Sequence, residues 1–458
     1  MVDEDAMEYM TLSAVLTRRA CLWAGAGLCL PAWPVGAQSA QAQQPPAQPV
    51  LPKPQAVVRP DTRLRFPRDH GAHPDFRTEW WYATGVLRTP AGEELGFQLT
   101  FFRSRVDEAD VRVDGAAAKA TDAHNASSPS NATTAGKPAN AADTTANSLP
   151  GAPRQPTGRF APRQLLFAHA AVTDVAARQM WHGQRMARWN GEPTARPAFA
   201  SLADTHVSLA DWHLQRHDQP GGHSRYVARL GDADMAYQLD LATTQPLLLQ
   251  GQAGYSRKGP DASHASHYYS QPHLRVTGSL QRRVRVEAVT GIAWLDHEWS
   301  ETLMPADAVG WDWIGMNLHN GAALTAFRLR RSDGTAVWAG GSWRTGPAPA
   351  DSGPVASLRA ADATAQVFGP TEVLWQPLAW WVSPLSGARY PVRWALVTPV
   401  GRFEVHARVD AQELDSRATT GAVYWEGLSD LVDPVSGQRV GQGYLEMTGY
   451  TQRLVLGG

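Results

Sequence analysis

Apolar and polar residues alternate with period 2 over most of the chain beyond about residue 60, and no long run follows the 3.6-residue period of a helix. Strands are predicted at 79–87, 95–103, 165–172, 206–215, 225–230, 236–241, 274–280 and 284–295. In the second half they are predicted at 311–318, 323–330, 335–343, 373–382, 393–398, 402–409, 421–425 and 443–450. Turn pairs such as Asn320-Gly321, Asp333-Gly334 and Ser386-Gly387 separate them. Short strands at this spacing predict an all-β barrel or sandwich. The pattern runs for roughly 400 residues, more than one ordinary barrel holds, so two are expected. The break is placed near 301–307, giving domains at 61–302 and 303–458.

Two biased stretches interrupt the pattern. Residues 38–60 are rich in Ala, Gln and Pro and read as a disordered linker. Residues 115–158 are almost all Ala, Thr, Ser, Asn, Asp, Gly and Pro; they cannot bury enough apolar surface to fold, and are expected to be a disordered insert in the first domain.

The N-terminus reads as an export signal. Arg18-Arg19 precedes an apolar run at 21–33, and small residues follow at Val35-Gly36-Ala37. The run is too short to span a bilayer as a helix, which needs about 20 residues. A signal peptide at 1–37, of the Sec or twin-arginine kind, predicts a periplasmic or secreted protein. Both cysteines, Cys21 and Cys29, fall within it, so the mature chain would carry neither a disulfide nor a Cys-ligated metal. Cys29 follows Ala26-Gly27-Leu28, a poor match to a lipoprotein cleavage box.

Composition narrows the function. With 42 Lys+Arg against 43 Asp+Glu, the chain has no basic field, and nucleic acid is not expected as a partner. Its 18 tryptophans suit the lining of a core or an apolar pocket. No G-x-S-x-G elbow, P-loop or dinucleotide fingerprint occurs, and His297-Glu298-Trp299-Ser300-Glu301 ends in Glu where a zincin helix needs His.

Three constellations could carry chemistry. The first is FPRDHGAH at 66–73, running into Thr78-Glu79-Trp80-Trp81-Tyr82. There His70 and His73, with Asp69, Asp75 and Glu79 nearby, could ligate a metal or fix a chain crossing over a barrel mouth. The second is His267-Tyr268-Tyr269-Ser270, where alternation puts His267 and Tyr269 on one face and Tyr268 and Ser270 on the other. The third is GIAWLDHEWS at 291–300. Trp294, Asp296 and Glu298 share one face of it; Leu295, His297 and Trp299 share the other. An acid buried beside indoles must pair its charge or keep its proton.

At these residues the chain resembles the carotenoid 1,2-hydratase/AttH-like family, often labelled secreted hydrolases, which includes kievitone hydratase. The matching pieces are FPRDHGAHPDFRTEWWYATGVL at 66–87, GFQLTFFR at 96–103, YYSQPHLRVTGSL at 268–280, GIAWLDHEWS at 291–300, and GWDWIGMNLHNG with TAFRLR at 310–330. The resemblance implies two tandem lipocalin-like antiparallel β-barrels around an apolar cavity. In its hydratase branch it implies addition of water to a C=C bond without a cofactor, with Asp296 as the acid. His267 and Tyr269 would match an upstream His-x-aromatic pair, and Trp294 an aromatic before the acid. Carotenoid enzymes carry Tyr at the place of Trp294 and Trp at that of Tyr269, so the resemblance does not extend to carotenoid as the substrate.

The resulting expectation is an exported hydro-lyase acting on an apolar, isoprenoid-like molecule. Asp296 is the protonated acid, and His267 or His297 orients it or takes a proton from water. Trp294, Tyr269, Trp299 and Glu298, with Trp80, Trp81, Trp311 and Trp313, are expected to form the substrate-binding wall. Two alternatives stand beside it: a non-catalytic carrier of an apolar ligand, and a metal-dependent hydrolase using His70, His73 and Glu79. A homodimer and an association with a membrane transport system are both left open.

Overall fold

The computed structural model describes residues 56–106, 164–190, 197–346 and 365–454. The signal peptide, most of the linker and the insert at 115–158 lie outside the described residues. Apart from two single-turn 3₁₀ helices, every regular element among the described residues is a β-strand, and every pairing is antiparallel.

The strands form two sheets. From one edge of the first sheet the order is Gln179–Trp189, Gln164–Asp174, Glu94–Arg105, Thr78–Arg88, Arg285–Ser300, Ala265–Arg282, Met235–Ala242, His223–Gly231, Trp212–Gln219, His206–Leu209 and Ala198–Ala200. The first and last of these strands touch, so the sheet curls nearly closed as a lipocalin-like barrel. The second sheet runs Gln366–Phe368, Ala336–Arg344, Ala323–Arg330, Gly310–Leu318, Arg439–Met447, Ala422–Val432, Gly401–Ala407, Arg389–Thr398 and Leu374–Val382. Both follow one plan. The opening strand of each unit pairs with its closing strand, Thr78–Arg88 with Arg285–Ser300 and Gly310–Leu318 with Arg439–Met447. The chain passes from one sheet to the other between Ser300 and Gly310.

Alternation along these strands sorts side chains into three layers. One face of the first sheet fills its barrel with Trp81, Leu95, Phe97, Leu99, Phe101 and Leu295 among others. One face of the second sheet packs Ile314, Met316, Trp394, Trp425 and Met447. The remaining faces meet each other through Tyr82, Val86, Trp294, Trp313, Leu428 and Tyr444. Polar contacts lock this third layer. Asn317 Nδ2 donates to the Ala293 carbonyl at 3.1 Å, Asn317 Oδ1 accepts from the His273 N–H at 2.8 Å, and Gln250 Nε2 donates to Thr325 Oγ1 at 3.0 Å.

Two expectations for strands are corrected. The stretch 206–215 is not one strand but a hairpin, with Leu209 paired to Trp212 across Ala210-Asp211. Ala210 takes the left-handed conformation (φ 56°) that usually advertises itself as Gly or Asn. The strand Gln179–Trp189 was not expected, because most of its residues, Met180, Trp181 and Met186 included, are at least partly exposed, which erases the alternation.

Candidate active site

The third layer is not filled. A pocket of about 1150 Å³, its open mouth included, lies between the sheets. The first sheet lines it with Trp80, Tyr82, Phe102, Phe167, Lys258, Tyr268, Asp296 and Glu298. The second contributes Trp311, Trp313, Phe327, Tyr424, Glu426 and Glu446.

Register explains which side chains meet there. Residues directly opposite on antiparallel strands point to the same face. Asp296 is flanked by Tyr82 on one neighbouring strand and Ser270 on the other, and Glu298 by Trp80 and Tyr268. The next residues along point the opposite way: His297 is flanked by Trp81 and Tyr269, and Trp299 by Glu79 and His267.

Asp296 is buried and held by three donors. Ser270 Oγ donates to its Oδ1 at 2.5 Å, Trp294 Nε1 to the same oxygen at 2.7 Å, and the Tyr268 hydroxyl to Oδ2 at 2.7 Å. Burial nonetheless pushes its pKa up to about 7, against the pull of these donors and helped by the nearby Glu298 charge. The Tyr268 oxygen also accepts from Trp313 Nε1 at 3.2 Å, which ties the acid to the pocket wall. Glu298 pairs with Lys258 Nζ at 3.4 Å, and that ammonium lies over the Trp80 ring.

The second sheet adds two carboxyls. Glu426 and Glu446 are directly opposite on adjacent strands. Burial pushes Glu446 up to about 7, with the Asp296 and Glu298 charges adding to the effect. Burial and Glu446 together raise Glu426 well above the ordinary carboxyl range. Gly315 gives the indoles room beside them: a Cβ there would lie 2.5 Å from the Trp313 ring and 2.9 Å from that of Trp294.

The other face carries a separate, densely bonded cluster inside the first barrel. Glu79 Oε1 lies 2.8 Å from His73 Nδ1 and 2.9 Å from His297 Nε2, while Oε2 accepts from Arg103 Nε at 2.8 Å. The His73 backbone N–H donates to both oxygens. Burial opposes ionisation of Glu79, but Arg103 and the two imidazoles hold it well below the ordinary range. The Tyr269 hydroxyl links His297 Nδ1 (3.1 Å) to His70 Nδ1 (2.8 Å). Trp299 stacks on His73 at 3.7 Å, and Trp81 on His297 at 4.8 Å. Burial lowers His297 to about 4, though Glu79 opposes this, and lowers His267 to about 4.

Of the residues proposed from sequence, Asp296, Glu298, Trp80, Trp311 and Trp313 therefore line one pocket. Trp294 stands behind it as a hydrogen-bond donor to Asp296 rather than as part of the wall. His267, His297, Tyr269, Trp299 and Trp81 lie on the barrel-interior face, away from Asp296. Neither histidine orients the acid, because the pleat turns them to the opposite side of the sheet. Among the described residues, the trio with atoms close enough to hold a metal is His73, Glu79 and His297, without His70. Its ligand atoms are turned into hydrogen bonds with one another, and Arg103 already balances the Glu79 charge.

Comparison with known proteins adds the lineage. The family model for AttH-like proteins matches residues 57–132 and 133–450. The chain belongs to the AttH-like family. A candidate AttH from Nitrosomonas europaea is 37% identical, over 86% of this chain and 99% of that one, with a TM-score of 0.66. Kievitone hydratase from Nectria haematococca is 13% identical over 85% of this chain and 94% of its own, with a TM-score of 0.55, a likeness of fold. No curated protein matches the sequence.

Sequence reasoning gave no site role to four wall residues of this AttH-like protein, Tyr82, Tyr268, Glu426 and Glu446, nor to Ser270, which donates to Asp296 behind the wall. Alternation gives Tyr268 and Ser270 a face but not a partner, since the strand that pairs with them is not legible from their own pattern. The two glutamates did leave a trace. Each follows a tyrosine by two positions, Tyr424-x-Glu426 and Tyr444-x-Glu446.

Proposed function

We propose that this protein adds water across a carbon–carbon double bond of an apolar, isoprenoid-like substrate bound between its two sheets, with Asp296 as the acid. The observation that carries this reading is a buried carboxyl, raised to about 7, on the wall of a pocket lined by indole and phenyl rings. An acid of that strength is still about half protonated at neutral pH. Its proton would pass to the less substituted alkene carbon, the π electrons forming the new C–H bond and leaving a cation on the more substituted carbon. The ring of Trp313 on the pocket wall would shield that cation, worth about 0.5–2 kcal/mol. A water oxygen then forms the C–O bond, and its surplus proton returns to the Asp296 carboxylate. Asp296 is restored, and no cofactor is consumed. The fold shared with kievitone hydratase supports this reading as one that accommodates such chemistry. The signal read at 1–37 would place the reaction in the periplasm or outside the cell.

The test begins with mass spectrometry of small molecules extracted from the purified protein. Candidates of that class are then incubated with the protein in ¹⁸O-labelled water. Incorporation of one ¹⁸O by the wild type and none by Asp296→Asn is the expected result. A ligand that co-purifies and is returned unchanged by the wild type would instead identify a carrier.

A further inference from the structure

The outer face of the second sheet carries a feature that the pocket does not use. On the sheet's last strand, Leu374–Val382, every second residue turns outward, and of these Leu374, Leu378, Trp380 and Val382 each leave 44–58% of their surface exposed. The residues between them, Trp375 and Trp381 included, pack inward. At about 3.3 Å per residue the apolar row is roughly 26 Å long. Apolar side chains scattered singly over a surface are ordinary, whereas a row of them marks a surface that meets something. The face is also continuous with one already in use. It runs through His406, which stands opposite Asp430, to the side of that strand from which Leu428 packs against the first sheet.

Charge decides what fits. Arg389 stands opposite Val382 and sets its guanidinium 5.0 Å over the Trp380 ring. Arg402 stands opposite Val397, which is itself opposite Leu374, and Arg393 lies between Arg389 and Val397 on the same side of the strand Arg389–Thr398. All three arginines are exposed, and none makes an ion pair among the described residues. Glu404, on the same face, is engaged by His406 at 2.6 Å. A second copy of the chain fits this face poorly. Pro377 and register breaks on either side of Ala379 interrupt the edge that an added strand would need, and a two-fold contact would set arginines against arginines. An acidic protein would have to offer carboxylates and an apolar trough together. The boundary of an anionic bilayer has both: phosphates for the arginines, whose stems lie along the apolar row, and an interface that favours indole and aliphatic side chains. We propose that the face built from Leu374–Val382 and Arg389–Thr398 seats the protein on the surface of an anionic phospholipid membrane. This stands apart from whatever the pocket does to its ligand.

The experiment follows hydrogen–deuterium exchange of the full chain by mass spectrometry, with vesicles of phosphatidylglycerol or of phosphatidylcholine, and measures partitioning by co-sedimentation. Phosphatidylglycerol should slow exchange in peptides spanning 374–402 and phosphatidylcholine should not, which locates the contact independently of the apolar run at 21–33. Partitioning should fall about tenfold or more between about 0.05 M and about 0.5 M salt. Arg389→Gln, Arg393→Gln and Arg402→Gln together should weaken it by about fivefold for each arginine. Leu378→Ser with Trp380→Ser should remove the protection at 374–402. Both sets change exposed side chains, and unaltered exchange in the strand Thr78–Arg88 checks that each variant is folded. Absence of protection at 374–402, or equal protection by the two lipids, would overturn the proposal. So would protection that survives both sets of substitutions. Protection that grows with protein concentration in the absence of vesicles would assign the face to a second copy instead, and protection by polyglutamate as strong as that by the vesicles would assign it to an acidic protein.

Discussion

Replacing Asp296 by Asn should stabilise the protein increasingly as the pH rises. The carboxyl ionises at about 3.8 in an unfolded chain and at about 7 in the folded one. A raised folded pKa means that the stability associated with the neutral form is fully present below about pH 4, is lost progressively as the pH rises to about 7, and changes no further above that. Each pH unit between those two values is worth about 1.4 kcal/mol, so the wild type forgoes roughly 2 kcal/mol at pH 5 and roughly 4 kcal/mol at pH 8. Asparagine does not titrate, so the gap between variant and wild type widens by about 2.5 kcal/mol over that range. Any cost of rotating the Tyr268 hydroxyl to face the new amide is the same at both pH values and cancels. With an unfolding entropy of about 2.1 cal/mol/K per residue over about 320 described residues, 1 kcal/mol corresponds to about 1.5 °C. Thermal melts followed by circular dichroism should therefore show Tm(variant) minus Tm(wild type) growing by about 4 °C between pH 5 and pH 8. A difference that stays flat or shrinks would refute the burial argument for Asp296.

Three further outcomes follow from the same geometry. Turnover should fall about tenfold per pH unit above about 7, because the reaction needs the protonated acid; a rate that climbs through that range would argue for Asp296 as a base. Arg103→Met leaves the Glu79 charge buried and unpaired and should cost about 3–5 kcal/mol in urea denaturation; a loss below about 1 kcal/mol would mean that the pair does not stabilise the barrel. Gly315→Ala forces a methyl group against Trp313 and Trp294, and should cost about 1–3 kcal/mol while shifting tryptophan emission. An unchanged spectrum and stability would show that the two rings can move aside.

Much of the fold was legible because burial on one face imposes period 2, and the strands Thr78–Arg88, Glu94–Arg105, Gly310–Leu318 and Ala323–Arg330 lie within a residue or two of their expected limits. Legibility failed where that imprint is weak, as in the exposed strand Gln179–Trp189, or where an ordinary residue takes a turn conformation, as Ala210 does. The site divides the same way. Alternation within 291–300 separated Asp296 from His297, but a single strand does not reveal which face of its neighbour it shares. That depends on register: Ser270, not Tyr269, stands opposite Asp296. The expected hollow inside a barrel is instead a gap between two sheets. About a third of its wall comes from strands of the second sheet, and Glu426 and Glu446 lie more than a hundred positions from Asp296.

Hydration by this site requires that Asp296 keep its proton near neutrality. Carbon-13 NMR of protein labelled at the aspartate carboxyls, with the Asp296 signal assigned by its loss in Asp296→Asn, measures this directly. That signal should titrate with a midpoint near 7; a midpoint near 3.8 would mean that Asp296 is an ordinary, ionised carboxylate and not the acid.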